Sequence, residues 1–395
     1  PGIDGMPVSV PGPARKAARY IRHTSRNART RLLDPASLVE AERTPYEVIY
    51  EEDIVRVRYY PPLAADHITV NGEQVAVQKQ AHATPLVLVS PLAVNMYIYD
   101  LFEQRSLVKY LRARGFELYL IDWGRPDARH NHYTLSTYFA DWMPRLLAQV
   151  RQHSGAQKLS LHGWSFGGLF SYAYTALGDP DIANLVLLGA PCDYHANGAL
   201  GKQYQRLARQ MRWMEKRFGF KVHNTRKRYW RSPGWMNSLA FKLTNPVASV
   251  QGYVDLVRNL HDAEYVRSHT TNGAFLDDMV AYPGAVVQDI IQHLWTDNVL
   301  GNGELPLQDS RKRNVPLQLH NASVLMICGE DDPIVTRDCS TALLKQVHSD
   351  DVTVRDVPGG HMGILGGSRA PRESWQAISD WLAERSNPAQ AQRSA

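Results

Sequence analysis

The chain is short of cysteine, of charge of one sign and of long apolar runs, and each shortage argues against a class of protein. Its 395 residues hold 3 cysteines, Cys192, Cys328 and Cys339. The number is odd and no Cys-x-x-Cys pair occurs, which argues against a disulfide framework and a zinc site and fits a reducing, cytoplasmic setting. No run of about 18 apolar residues is present, so no membrane span is expected. The N-terminus carries arginines with no apolar segment behind them, unlike a secretory signal. Met6 is expected to be the natural start, with PGIDG ahead of it extraneous. Lys plus Arg number 44 against 39 Asp plus Glu, a net charge of +5. That balance is mild for this length and does not by itself imply nucleic acid. No internal repeat is found.

What is present is an ordinary soluble composition, 44% hydrophobic and 21% charged, in a chain long enough to bury a sizeable core. Residues 1–14 are rich in Pro and Gly and are expected to be disordered. Residues 15–42 read as a helix with scattered Arg and Lys, either solvated and packed on the domain or serving as a basic arm against an acidic or lipid surface. The stretch 46–60 alternates like a strand, and Asn71-Gly72 carries the dipeptide of a tight hairpin. From residue 85 onward, short Val/Leu/Ile-rich runs at 85–92, 116–123, 158–164, 183–190, 323–329 and 352–357 alternate with helical stretches such as 104–114, 135–153 and 168–177. Runs of this kind suit parallel strands buried on both faces, so the fold class is α/β with a mostly parallel sheet. The alternation breaks over 195–318, a helical segment with no buried strand run, which reads as a cap inserted between two core strands. The expected organisation is an N-terminal arm and helix (1–45), a core in two parts (46–194 and 319–385), the cap (195–318) and a frayed tail (386–395).

Gly163-Trp164-Ser165-Phe166-Gly167 fits G-x-S-x-G, with a strand pattern before it and a helix pattern after it. That is the setting of a nucleophile elbow in the α/β-hydrolase fold, where the serine sits in a strained turn at a helix N-terminus. The fold's chain order is Ser, acid, His. Asp331 and Asp332 follow the run 323–329, and His361 follows 352–357, so Ser165, Asp332 and His361 are the expected triad. Asp331 is expected to cap the next helix, and Asp193 is a minor rival for the acid. Phe166 is expected to supply one oxyanion N–H and either Leu92 or Ala93 the second. His130 and His132 resemble a loose metal pair but read as a solvated loop without a third ligand, so no metal or redox cofactor is expected. The basic and aromatic stretch 211–231 reads as a solvated cap helix, with nucleic acid and a mouth for an anionic acyl carrier such as coenzyme A as alternatives.

Over roughly residues 40–385 the chain resembles the polyhydroxyalkanoate synthase family, most closely its class III type. The matching stretches are PLAVNMYIYDL, LIDWGRPD, LTNPVASVQGYVDLVRNLHDAEYV, YPGAVVQDIIQHLWTDNVLGNGEL, GEDDPIV and GGHMGIL. The resemblance implies Asp332 as acid, His361 as base and 195–318 as the cap. It also departs from the family, whose nucleophile is a cysteine where this chain has Ser165, and whose cap tryptophan is replaced nearest by Phe275.

The exchange of sulfur for oxygen has chemical content. A thiol ionises at about 8.5 and is readily activated by a histidine, and its acyl adduct exchanges with a thioester at near-constant transfer potential. A serine needs full general-base help and forms a lower-energy oxygen ester. Serine therefore tilts the expectation towards a hydrolase of acyl or 3-hydroxyacyl esters and thioesters. The alternatives are an acyltransferase with an acyl-coenzyme A donor, and a non-catalytic granule- or membrane-surface protein. A small-molecule acyl substrate is the expected partner, nucleic acid is not, and a homodimer is open because dimers occur among the enzymes it resembles.

Overall fold

The structure is a computed structural model that describes residues 12–244 and 246–386. The Pro/Gly-rich start through residue 11, with Met6, and the tail from 387 lie outside the described residues.

The 8-stranded central sheet is made of β1 (Glu47–Glu52), β2 (Val55–Tyr60), β3 (Leu86–Val89), β4 (Leu118–Asp122), β5 (Leu159–Trp164), β6 (Ile182–Leu188), β7 (Ser323–Gly329) and β8 (Val352–Val357). The strands lie in the order β1-β2-β4-β3-β5-β6-β7-β8. β1 pairs with β2 and β2 with β4 antiparallel, and each later pairing is parallel. Successive strand residues point to opposite faces, so a strand covered on both sides must be apolar throughout. The packing shows this directly. Leu86 and Leu88 join one hydrophobic core while Val87 and Val89 join the other, and Leu325 and Ile327 divide from Val324 and Met326 in the same way.

The helices differ from the sequence pattern at their ends, for local reasons. α1 (Gly12–Leu33) stops before Pro35, which opens a separate 3₁₀ turn at Pro35–Leu38, since a proline disfavours helical backbone in the residue before it. α2 (Leu107–Ala113) starts three residues later than the pattern suggests. Ser106 caps it by accepting the Lys109 N–H at 3.1 Å, and Asp100–Phe102 pairs with Arg105–Ser106 just ahead of it. α3 (Met143–Ser154) is preceded by a π-helical stretch, Thr137–Trp142, and α4 (Phe166–Thr175) follows β5 at once. Asn71 and Gly72 adopt φ of 48° and 82°, the left-handed pair that a two-residue hairpin turn requires.

Between β6 and β7 come α5 (Gly198–Phe218), α6 (Gly234–Thr244), α7 (Pro246–Arg258), α8 (Ala263–Asp277), α9 (Gly284–Asp289) and a π-helical continuation, Ile290–Thr296. This segment is not wholly helical. Glu304–Gln308 pairs antiparallel with Asn314–Pro316, and Leu305 is fully buried. Both strands are punctuated by polar residues and prolines (Glu304, Pro306, Gln308, Asn314 and Pro316), so neither registers as a buried apolar run. Among the described residues no helix is long and apolar enough to cross a membrane.

His162 sits in the middle of β5, fully buried, and neither ring nitrogen has a hydrogen-bond partner. Burial lowers its pKa from 6.5 to about 4. A depressed folded-state value means that the stability is present above 6.5 and is lost as pH falls towards 4, because only the unfolded chain takes the proton easily. Urea unfolding at pH 7, 6 and 5 should show stability falling below pH 6.5 by about 1.4 kcal/mol per pH unit from this group. In His162→Leu that component of the slope should vanish, and an unchanged slope would contradict the assignment.

Candidate active site

β5 delivers Ser165 to the edge of the sheet and α4 begins immediately behind it. The serine N–H continues the β-ladder to the Leu188 carbonyl at 2.9 Å. The backbone then turns sharply, with Ser165 at φ 55° and ψ −125°, a strained conformation for a residue with a side chain. Two glycines permit the turn by close approach. A Cβ on Gly163 would lie 2.4 Å from the Gly167 backbone, and one on Gly167 would lie 1.9 Å from the Val89 carbonyl oxygen of β3.

The loops after β7 and β8 bring Asp332 and His361 to this turn. His361 Nε2 lies 2.9 Å from Ser165 Oγ, and His361 Nδ1 lies 2.7 Å from Asp332 Oδ2. The other carboxylate oxygen of Asp332 accepts the N–H groups of Ile334 and Val335, both at 2.9 Å. The side chain of Asp332 is fully buried. Three charge-assisted acceptor contacts fix the carboxylate in one orientation, and it in turn fixes the imidazole.

Two further residues shape the site. Neither carries a signature in the sequence, because their roles depend on contacts between distant segments. The buried Trp164 indole N–H donates to the His361 carbonyl at 2.9 Å, tying the histidine loop to the residue just before Ser165. Gly189, just past β6, leaves room for the pair. A Cβ there would meet His361 Nδ1 at 3.2 Å and Asp332 Oδ2 at 3.3 Å.

The remaining expected residues fall into place unevenly. Asp331 is exposed and is not the helix cap. Thr336 caps Arg337–Thr341, and Asp332 itself takes the loop N–H groups. Asp193 is occupied elsewhere, accepting from the His195 and Ala196 N–H groups and from Asn298 Nδ2. Phe166 opens α4, so its N–H is one of the helix-end donors without an intrahelical acceptor. Leu92 and Ala93 follow β3 in a loop pinned by the Trp123 indole, which donates to the Ser90 carbonyl at 2.6 Å. Ala93 holds φ at 64°, and its carbonyl accepts the Val280 N–H at 2.9 Å. Asn95 Nδ2 donates to the Asp278 and Phe275 carbonyls at 2.9 and 3.3 Å. The loop after β3 is therefore stitched to the end of α8, and Phe275 itself is buried. His130 and His132 do not converge. His130 Nδ1 accepts the Asp127 N–H, and His132 Nδ1 faces the Arg129 carbonyl.

The three cysteines are free and buried. Burial raises Cys328 to about 11 and Cys339 to about 12, and it raises Cys192 further. None is poised as a thiolate, so none replaces the oxygen of Ser165 as a sulfur nucleophile.

Ser165 opens onto a cavity of about 340 Å³ whose walls include Phe166, Tyr194, Tyr204, Ile290 and Trp295. Tyr204 of α5 stacks on Trp295 of the π-helical stretch, with ring centroids 5.1 Å apart. Burial pushes the Tyr204 and Tyr282 phenols up to about 12, so these walls carry neutral rings.

The fold and this site define an α/β hydrolase. A family model described as alpha/beta hydrolase fold matches residues 84–368, and the chain belongs to that family. Within it the chain is similar over most of its length to proteins named as poly(3-hydroxyalkanoate) polymerase subunits. It is 29% identical over 352 residues to "Poly(3-hydroxyalkanoate) polymerase subunit PhaC" of Allochromatium vinosum, covering 89% of this chain and 91% of that one. It is 28% identical over 372 residues to the protein of the same name from Haloferax mediterranei, covering 94% of this chain and 70% of that one. Among solved structures, a soluble variant of monoglyceride lipase from Saccharomyces cerevisiae shares the fold at a TM-score of 0.51 and 15% identity, covering 88% of this chain and 96% of that one.

Gly167→Ala places a methyl group against the Val89 carbonyl and should destabilise the protein by about 3 kcal/mol or more. Gly273→Ala on α8, where a Cβ meets nothing within 4 Å, should be neutral or up to about 1 kcal/mol stabilising. Denaturant midpoints of the two variants would compare them, and similar midpoints would contradict the close-approach account.

Proposed function

We propose that the protein is an acyl-transferring enzyme that works through an acyl-Ser165 intermediate and passes the acyl or 3-hydroxyacyl group to water. The observation that carries this reading is the continuous hydrogen-bonded chain from Asp332 through His361 to Ser165, which ends at the mouth of an aromatic and aliphatic cavity.

In this reading Ser165 Oγ attacks the ester or thioester carbonyl while His361 Nε2 takes its proton. The carbonyl oxygen becomes an oxyanion, held by the Phe166 N–H and by the N–H of Leu92 or Ala93. Collapse breaks the bond to the leaving alcohol or thiol, and His361 returns the proton to it. Water then attacks the acyl-serine while His361 accepts its proton; the acyl–Oγ bond breaks, His361 returns the proton to Ser165 Oγ, and the free acid leaves. Asp332 keeps its carboxylate throughout and holds Nδ1 of the ring. The segment 195–318 acts as the cap, with Tyr204 and Trp295 lining the acyl pocket. No cofactor enters any step, and an acyl-coenzyme A would be a substrate.

A second reading is transfer to the hydroxyl of another 3-hydroxyacyl group, so that chains grow. The breadth of the similarity to proteins named polymerases, 89% of this chain, favours it. The chemistry limits it to hydroxyl acceptors. Returning an acyl group from a serine ester to a thiol is uphill, whereas ester exchange with an alcohol is nearly balanced.

Incubation with a 3-hydroxyacyl-coenzyme A should release free coenzyme A and free acid in equal amounts. Ser165→Ala should lower that release by at least about 10³-fold and Asp332→Asn by about 10⁴-fold. Oligomer or acylated acceptor matching the coenzyme A released would overturn the water reading in favour of transfer. Full activity in Ser165→Ala would overturn both. Ser165→Cys should shift product from free acid towards chain or thioester exchange, because the adduct then keeps its transfer potential.

A further inference from the structure

The segment between β6 and β7 holds a second cluster of chemistry-bearing side chains that the acyl-transfer reading leaves unused. His223, Asp289 and His293 each offer a donor atom, and these atoms lie within 4.8 Å of one another. Asp289 and His293 are four residues apart on the continuous α9 and π-helical stretch, which puts them on one face. His223 comes from the 3₁₀ turn Val222–Asn224, 66 residues from Asp289, a separation with no recognisable metal spacing.

The arrangement is held in place from outside. Asp289 Oδ2 accepts the Leu135 N–H at 2.8 Å, which leaves Oδ1 for the histidines. His223 Nε2 is 2.8 Å from Oδ1 and His293 Nε2 is 3.9 Å from it. The two rings lie 4.9 Å apart between centroids. The turn carrying His223 is fixed by Gln288, whose buried amide donates to the Val222 and Thr225 carbonyls, both at 2.9 Å. Asp289 is only 5% exposed, while the His223 and His293 side chains are 34% and 28% exposed. The result is a buried carboxylate beneath two imidazoles that solvent reaches.

We infer that His223 Nε2, Asp289 Oδ1 and His293 Nε2 form a binding site for a divalent transition metal of the zinc, cobalt or nickel kind. Two imidazoles and one carboxylate match the ligand preference of these ions, with solvent completing the shell. Calcium and magnesium need a shell of oxygens that this cluster does not offer. Metal bonds of about 2.0–2.2 Å in a tetrahedral arrangement set ligand atoms about 3.3 Å apart, so the 2.8 Å contact to Asp289 opens and the 3.9 Å contact closes by about half an ångström, and the two histidine donors, within 4.8 Å of each other, adjust to the same spacing. The ion would replace the hydrogen bond between His223 and Asp289, with His223 coordinating as a neutral imidazole. Its mechanical effect would be to pin the 222–224 turn to the helix whose next residues, Ile290 and Trp295, wall the acyl pocket.

The test uses tag-free full-length protein stripped with chelator. Titration with Co²⁺ should give one equivalent of binding with visible d–d absorption, displaced by Zn²⁺, with Mg²⁺ inert. His293→Ala and His223→Gln should each weaken Co²⁺ and Zn²⁺ binding by at least about tenfold. His223→Gln can still donate to Asp289, so it keeps the fold even where the alanine variant does not. Zn²⁺ should raise the Tm of the wild type and not that of His223→Gln. Absence of one-equivalent binding, or binding that His223→Gln leaves unchanged, would overturn the site and leave a plain His–Asp hydrogen bond.

Discussion

The contact on which the rest of the site depends is the approach of the α4 N-terminus to β3. Gly167 lies so close to the Val89 carbonyl that a single methyl group would collide with it. That approach lets β5 turn into α4 with Ser165 at φ 55°. The turn lifts the serine oxygen out of the sheet and aims the first helix N–H groups at the same space. The loops after β7 and β8 then need only to reach one point. They do so because parallel strands end on one edge of the sheet, where Asp332 and His361 stand side by side.

The three residues of the hydrogen-bonded chain were legible in the sequence because each directly follows an apolar run, and the run marks the edge of the sheet. The choice of Asp332 over Asp331 was legible only through order and motif. The geometry shows the difference, since Asp332 is buried beneath the Ile334 and Val335 N–H groups whereas Asp331 faces solvent. Trp164, Gly189 and the His223–Asp289–His293 cluster were not legible. Their partners lie far away in the chain, and long-range hydrogen bonds leave no periodicity. The π-helical stretches and the 304–316 strand pair are not legible either, because an inserted residue leaves a hydrophobic pattern unchanged and polar residues and prolines break up the apolar positions of Glu304–Gln308 and Asn314–Pro316.

The names of the relatives and the serine at position 165 pull in different directions, and the chemistry indicates where they meet. The relatives carry polymerase names, the fold is shared with a lipase, and both kinds of reaction need an acyl-enzyme. What separates them is the fate of the acyl group, governed by the energy stored in its bond to the nucleophile and by access of water to the pocket. The loop after β3, with Ala93 and Asn95, is hydrogen-bonded to residues 275–280. Movement of the inserted segment would therefore be felt where the oxyanion would form.

The most direct measurement is reaction of the wild-type protein with a fluorophosphonate, followed by proteolysis and mass mapping of the adduct. The phosphonyl group should be found on Ser165, with labelling abolished in Ser165→Ala and greatly slowed in His361→Ala. Labelling at another residue, or labelling undiminished in Ser165→Ala, would contradict it.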